Sequence, residues 1–250
     1  MIFAWILSNQ LDVVDDLVYR CAHETHKGNG MTGYFGSKAA LGLYQNIIAM
    51  MPPHDTYIET HLGGGAVMRN KPPARNNIAI DIDPEPLESF DCGYLVHKIN
   101  DCAHRYLREY DYTGSELIYC DPPYLIETRT SKRRYRHEYS RQDHLDLLEL
   151  LKSLPCRVIL SGYPSTLYDG MLEDWNCVAL QAMTWGGPRT EKLWYNYDID
   201  RAHWATYAGK DFTDRQRIKR KAERWARNYQ ALPAAERLAL LAAIMAVETD

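Results

Sequence analysis

The sequence has little that would mark a secreted, metal-dependent or membrane protein. Its six cysteines (21, 92, 102, 120, 156 and 177) form no CxxC pair and stand at no histidine spacing typical of zinc, which speaks against a disulfide framework or a zinc cluster. No apolar stretch is long enough to span a bilayer. The apolar start, Met1 to Leu7, lacks a basic leader and is followed closely by Asp12, Asp15 and Asp16, so a signal peptide is not expected. The chain therefore reads as cytoplasmic, with reduced thiols. A strong charge bias is missing too: 29 basic and 33 acidic residues leave a net charge of -4, so a nucleic-acid partner has to be met by a local surface. There is no internal repeat and no low-complexity tract.

What is present is enough apolar material for one sizeable core. With 46% of 250 residues apolar, one α/β domain and a small appendage are expected rather than two large domains. Residues 1–30 read as a weakly helical preface (Leu11, Val14, Leu17, Val18) ending in Lys27-Gly28-Asn29-Gly30. Apolar runs bounded by turn residues follow at Tyr57 to Glu59, Ile78 to Asp81, Tyr94 to Val96, Leu117 to Cys120 and Val158 to Ser161. Between them lie helical patterns, including Leu41 to Met50 and Asp143 to Leu154. Val178 to Met183 and Leu193 to Tyr197 then read as strands joined by Trp185-Gly186-Gly187-Pro188. The expectation over 31–200 is a mostly parallel sheet covered by helices, closed by a C-terminal antiparallel hairpin. Residues 201–250 read as a helical tail, basic up to Pro233 and Ala/Leu-rich beyond it, with Ile218, Ala222, Trp225 and Tyr229 on one face.

Ligands of open α/β sheets lie at the carboxyl ends of the strands. Three expected strands end suitably: one in Leu62-Gly63-Gly64-Gly65, one in Asp81-Ile82-Asp83 and one in Asp121-Pro122-Pro123-Tyr124. Glycines after the first strand let the backbone approach a ligand closely, and an acid ending the second can accept from ribose hydroxyls. The Gly65 to Asp81 spacing is near the roughly 20 residues of nucleoside-binding units. Because the loop is not GxGxxG, a hydride-transfer cofactor is disfavoured.

The segment ending the fourth strand is more specific. An exocyclic amine on a base ring is a poor nucleophile because its lone pair is delocalised. A carboxylate and a carbonyl that accept its two N–H groups favour the pyramidal geometry needed to attack a sulfonium methyl. Asp121 can supply the first acceptor and the Pro122 carbonyl the second, since tandem prolines hold the chain extended. Tyr124 can stack on a base withdrawn from its duplex, a contact worth about 1 to 3 kcal/mol, which offsets part of the cost of unpairing.

These motifs resemble the Dam-type DNA adenine methyltransferases with the DPPY signature, over Gly33 to about Asp198. The resemblance implies a Rossmann-like S-adenosylmethionine-dependent methyltransferase sheet and S-adenosyl-L-methionine as cofactor. It implies Asp121, Pro122 and Tyr124 as catalytic residues, with a flipped adenine in DNA as target. It further implies that Tyr34, Lys38, Glu59, Gly63, Gly65, Asp81, Asp83, Asp101 and Asp121 hold the cofactor, and that Tyr163 and Thr190 to Asn196 form pocket walls. Two departures stand out. Thr60-His61 replaces the family's usual Pro-Phe, and only about twenty residues separate Asp101 from Asp121, where the family usually inserts a target-recognition domain.

Directly after the tetrapeptide, Glu127 to Arg141 carries Arg129, Lys132, Arg133, Arg134, Tyr135 and Arg136, which read as contacts to DNA phosphates and to the vacated stack. The tail cations from Arg215 to Arg227 read equally well as a DNA contact or a solvated face. The nine histidines form no ligand pattern, no metal is expected and no general base is needed; only His61 falls beside the cofactor region. A monomer is favoured. Two alternatives stay open: N4-cytosine methylation, whose enzymes more often carry Ser in place of the first Asp, and a non-catalytic nucleoside- or DNA-binding relative.

Overall fold

A computed structural model describes residues 43–129, 135–184, 187–199, 209 and 212–247. The expected preface at 1–30, together with Tyr34, Lys38, Lys132, Arg133 and Arg134, lies outside the described residues. In chain order the elements are α1 (Leu43–Ala49), β1 (Thr56–Thr60), α2 (Ala66–Asn70), β2 (Asn76–Asp81), α3 (Pro84–Ser89), β3 (His97–Asn100), α4 (Ala103–Glu109), β4 (Glu116–Cys120), α5 (Arg141–Ser153), β5 (Arg157–Gly162), α6 (Thr166–Met171), β6 (Asn176–Thr184), β7 (Gly187–Tyr195), α7 (Phe212–Gln230) and α8 (Ala234–Val247).

The strands form one seven-stranded sheet in the order β3-β2-β1-β4-β5-β7-β6. β1 to β5 pair in parallel, and β7 runs antiparallel between β5 and β6. This is the expected mostly parallel α/β sheet with a terminal hairpin. Strand order reverses beside β1, so β1 and β4, the two central neighbours, open a crevice at their carboxyl ends.

β1 and β4 are buried along their whole length because helices cover both faces of the sheet. Alternate residues divide between two cores. On one face Ile58, Ile80, Ile118, Val158 and Leu160 pack with Leu107 of α4, Leu147, Leu148 and Leu151 of α5 and Leu167 of α6. On the other, Tyr57, Ala79, Leu117, Tyr119 and Ile159 meet Ile47 and Ile48 of α1, Val67 and Met68 of α2 and Leu87 of α3.

Local signals set the helix starts. Asp83 caps α3 by accepting from the Glu85 N–H, with Pro84 at the first helical position. Ser140 and Asp143 form a reciprocal capping box at α5.

Two strand boundaries differ from the sequence expectation. β3 is His97–Asn100 and not Tyr94 to Val96; Tyr94 instead donates to the Met68 carbonyl, and with Val96 packs against the second core. An edge strand with a mostly exposed face needs no apolar run, so the apolar signal marked the packing segment before it. β7 begins at Gly187, so Pro188, expected in the loop, pairs with Met183 inside the strand. β5 pairs with β7 only as far as Lys192, so Pro188 sits where β7 has a neighbour on one side and its missing N–H costs nothing.

Candidate active site

β1 delivers Glu59 and Thr60 to the crevice and then turns sharply. His61 takes a left-handed φ of 58°, unusual for a residue with a side chain, and Gly63 and Gly65 follow with φ of 48° and 58°. Gly65 is required on two grounds, since a Cβ there would run into the Phe90 ring. The turn ties itself to β2: the Gly63 N–H donates to Asp81 Oδ2 (2.9 Å), and the Asp83 N–H donates to Asp81 Oδ1 (2.9 Å). Burial raises the Asp81 pKa, and these two backbone donors hold the rise back.

The crevice is an open cleft lined by Glu59, the glycine turn, Asp81, Asp83, Tyr119, Asp121, Pro122 and Pro123, with Tyr135, Arg136, His137 and Tyr139 along one rim. A neighbouring hollow shares His61, Asp81, Ile82, His137 and Tyr139 with it and adds Asp101 and Cys102. Thus Glu59, Gly63, Gly65, Asp81, Asp83 and Asp121 line one cleft, and Asp101 stands in the hollow beside it, bound to Arg105 (Nε to Oδ2, 3.1 Å).

Glu59 is buried, accepts from the Tyr57 hydroxyl at 2.9 Å, and has its pKa pushed up to about 8 by burial, with the Asp121 charge adding to the rise. Burial brings Lys71 down to about 7. The cleft therefore holds a carboxyl pushed above the usual carboxylate range, with the Tyr57 hydrogen bond and the Lys71 charge drawing it part of the way back.

Tyr124 points away from this cleft. Its hydroxyl donates to Glu191 Oε1 at 2.5 Å, and Ser161 Oγ donates to the same oxygen at 2.6 Å. Tyr124, Ser161 and Glu191 are all buried, Glu191 at 3% exposure. The Tyr124 ring lies 4.4 Å from that of Tyr163, which in turn sits 5.8 Å beneath the Arg189 guanidinium. The tetrapeptide thus has an open half, Asp121 to Pro123, in the sense that it lines the cleft, and a buried half, Tyr124, turned into the core.

The segment after the tetrapeptide folds back over the cleft, and its described cations are paired internally. Arg129, with its side chain 2% exposed, holds Glu138 through two hydrogen bonds (3.0 and 2.6 Å) and lies 5.2 Å from the Tyr135 ring. Arg136 donates to Asp83 Oδ2 at 3.0 Å and pairs with Glu85. Of the six residues expected to meet DNA, these placements put Tyr135 and Arg136 on the cleft rim and bury Arg129 behind it.

Thr60-His61, the departure from Pro-Phe, pins the same segment. His61 Nδ1 lies 3.0 Å from Thr60 Oγ1 and Nε2 lies 2.7 Å from the Tyr139 hydroxyl, which is 3.3 Å from His104 Nδ1. His104 Nε2 donates to the Asp143 carbonyl at 3.0 Å. Burial, with His104 and His144 nearby, brings the His61 pKa down to about 3, so the ring is neutral and donates from one nitrogen only.

Ser161 and His104 carried no sequence signal for the site, and Glu191 entered only as part of the Thr190 to Asn196 pocket wall. Glu191 alone carried a signal: it shares the inward face of β7 with buried Leu193, two residues on, where an acid is out of place unless it is bonded. Among the described residues, no group of three His, Cys, Asp or Glu is arranged to hold a metal, and no helix is long and apolar enough to cross a membrane.

No family model matches the sequence, and no curated protein is detectably similar to it. Solved structures similar in chain path include M. capricolum TrmK bound to S-adenosyl-homocysteine, at 10% identity and a TM-score of 0.40 over 84% of this chain and 97% of that one. A Geobacter metallireducens precorrin-6y C5,15-methyltransferase aligns at 9% identity and 0.44 over 68% and 95%. The O-methyltransferase TomG from Streptomyces achromogenes, in complex with SAM, aligns at 13% and 0.41 over 62% and 78%.

Proposed function

We propose that this chain is a DNA methyltransferase that moves a methyl group from S-adenosylmethionine to the exocyclic N6 amine of an adenine flipped out of the duplex. The observation that carries the reading is that Asp121, Pro122 and Pro123 line the same cleft as the glycine turn, Glu59 and Asp81. Acceptors for an amine and a seat for a nucleoside cofactor are thereby adjacent.

The residues fit the cofactor. The positive-φ glycines let the backbone approach a ligand in the cleft, and buried Asp81 has lone pairs left for ribose hydroxyls beyond its two backbone donors. In this reading Glu59 is the counter-charge for the amino-acid ammonium and Asp101 the acid toward the adenine end. The bound cofactor supplies an electrophilic sulfonium methyl.

The chain's own part is to present the nucleophile. Asp121 Oδ and the Pro122 carbonyl each accept one N–H of the target amine, which localises its lone pair and aims it. The tandem prolines keep those two acceptors from rearranging, so the orientation is set before the amine arrives. Tyr124, held by Glu191, becomes the platform for the base once its ring is uncovered from Tyr163. The amine sheds its proton to solvent after transfer, so no general base is needed.

Incubation with methyl-labelled S-adenosylmethionine and unmethylated duplex DNA, followed by nucleoside digestion, tests the proposal. N6-methyladenine is the expected product; label in N4-methylcytosine would move the target to cytosine, and no label in DNA would leave the binding-protein alternative.

A further inference from the structure

α7 carries Arg215, Arg217, Lys219, Arg220, Lys221, Arg224 and Arg227 against two acids, Asp214 and Glu223. That is a local excess of five positive charges in a chain whose remaining residues hold 22 basic against 31 acidic. At about 100° per residue, Arg217, Arg220, Lys221, Arg224 and Arg227 fall within one third of the helix circumference, along about 15 Å of axis. All five are exposed. Arg217 shares its charge with Asp214 at 2.7 Å, whereas Arg220, Lys221, Arg224 and Arg227 meet no carboxylate among the described residues. Several of these cations stand three or four positions apart, a spacing at which like charges repel and weaken a helix. A merely solvated face would interleave acids there, as the rest of this chain has acids to do.

We infer that this basic face of α7 is a docking surface for the phosphate backbone of a nucleic-acid duplex, separate from the cleft. The inference deepens the proposed function and rests on it for the identity of the partner. A straight row of cations of this length matches a regular run of phosphates, since duplex DNA carries one charge per about 1.7 Å of axis. The chemistry favours the duplex over an anionic membrane, which needs a broad apolar face beside the cations. Among the described residues α7 exposes one large apolar side chain, Trp225 at 59%; the exposed Leu238, Leu241 and Ile244 belong to α8, beyond Pro233. At its start the helix meets the domain through Arg215, which donates to Asn46 of α1 at 3.0 Å.

The test uses the full chain and a duplex of roughly 30 G·C pairs, which contains no adenine and so cannot report the methylation reading. Binding is measured by fluorescence anisotropy between about 50 and 200 mM salt for the natural chain, for R217Q/R220Q/K221Q/R224Q/R227Q and for R220K/R224K/R227K. The expected result is that the glutamine variant lowers the slope of log K against log salt by about 4, at about 0.9 per phosphate left without its cation, while the lysine variant keeps the slope. An unchanged slope in the glutamine variant, a slope that falls equally in the lysine variant, or no duplex binding by the natural chain overturns the inference. So does binding to phosphatidylserine vesicles that the glutamine substitutions remove while duplex binding persists. Methyl transfer with an unchanged slope would sink the docking surface alone; a lowered slope with no methyl transfer to any DNA would sink the proposed function alone.

Discussion

The two halves of the Asp121 to Tyr124 segment are built on opposite plans. Asp121, Pro122 and Pro123 face an open cleft, and stiffness comes from the prolines themselves. Tyr124 turns into a buried polar cluster, where Glu191 collects two hydroxyl donors on one oxygen. The open half has to leave acceptors available for a substrate; the buried half uses every strong bond it can to fix one ring. A site that combines the two keeps its acceptors on the cleft wall without letting the neighbouring ring drift.

The largest effect should come from the buried half. Glu191→Leu strands the hydroxyls of Tyr124 and Ser161 away from water and should cost about 3 kcal/mol of unfolding free energy, read by urea denaturation. Glu191→Gln keeps an acceptor and should lose less than half as much. Equal losses would show that Glu191 acts by charge and not as an acceptor.

The cleft half is better probed by pH. Glu59, held at about 8, is protonated in the free cleft below that value, and pairing with a cofactor ammonium requires its carboxylate. Binding should therefore expel a proton, and affinity should rise between pH 6 and pH 8 by up to about tenfold per unit. Calorimetry in buffers of different ionisation enthalpy counts the proton, and Glu59→Gln should bind more weakly with no such slope. A flat profile in the natural chain would remove Glu59 from the cofactor's ammonium.

Tyr124→Phe should cost about 1 kcal/mol, because it deletes one hydroxyl and leaves Ser161 on Glu191. Its sharper readout is base flipping, followed by 2-aminopurine fluorescence at the target position: the ring stays, so the signal should weaken rather than vanish. The smallest effect belongs to Arg136→Ala. Its guanidinium is 65% exposed, so the loss of its pairs with Asp83 and Glu85 should change stability by less than about 0.5 kcal/mol. A loss above about 2 kcal/mol would make the rim segment a structural brace on a par with the Glu191 cluster.

The same division governs how much the sequence disclosed. The open half is local: glycines after a strand, acids ending the next one and tandem prolines after an apolar run each announce themselves within a few residues, and the sheet brings them to one cleft because all end parallel strands. The buried half is nonlocal. Glu191 meets Tyr124 across 67 residues and Ser161 across 30, a juxtaposition made by β7 inserting between β5 and β6, and strand order is not written in any one strand.

The rim segment shows the same limit. Its cations read as free for phosphate, but Glu138 and Asp83 engage Arg129 and Arg136, and the second of those partners lies 53 residues away. His61, which lines the cleft where the family usually has Phe, also bonds to Tyr139 across 78 residues, a partner that no local pattern announces. The sheet itself was legible down to the antiparallel hairpin, because apolar runs alternating with helical periodicity leave few topologies; β3 was misplaced where an edge strand had no apolar run to announce it.

The central claim is that Asp121 presents an adenine amine for methylation, and Asp121→Ala tests it most directly. With labelled S-adenosylmethionine and an adenine-containing duplex, the account predicts at least about 100-fold slower transfer to N6 than in the natural chain, with duplex binding and thermal stability essentially kept. Transfer at the natural rate by a folded Asp121→Ala protein would contradict it.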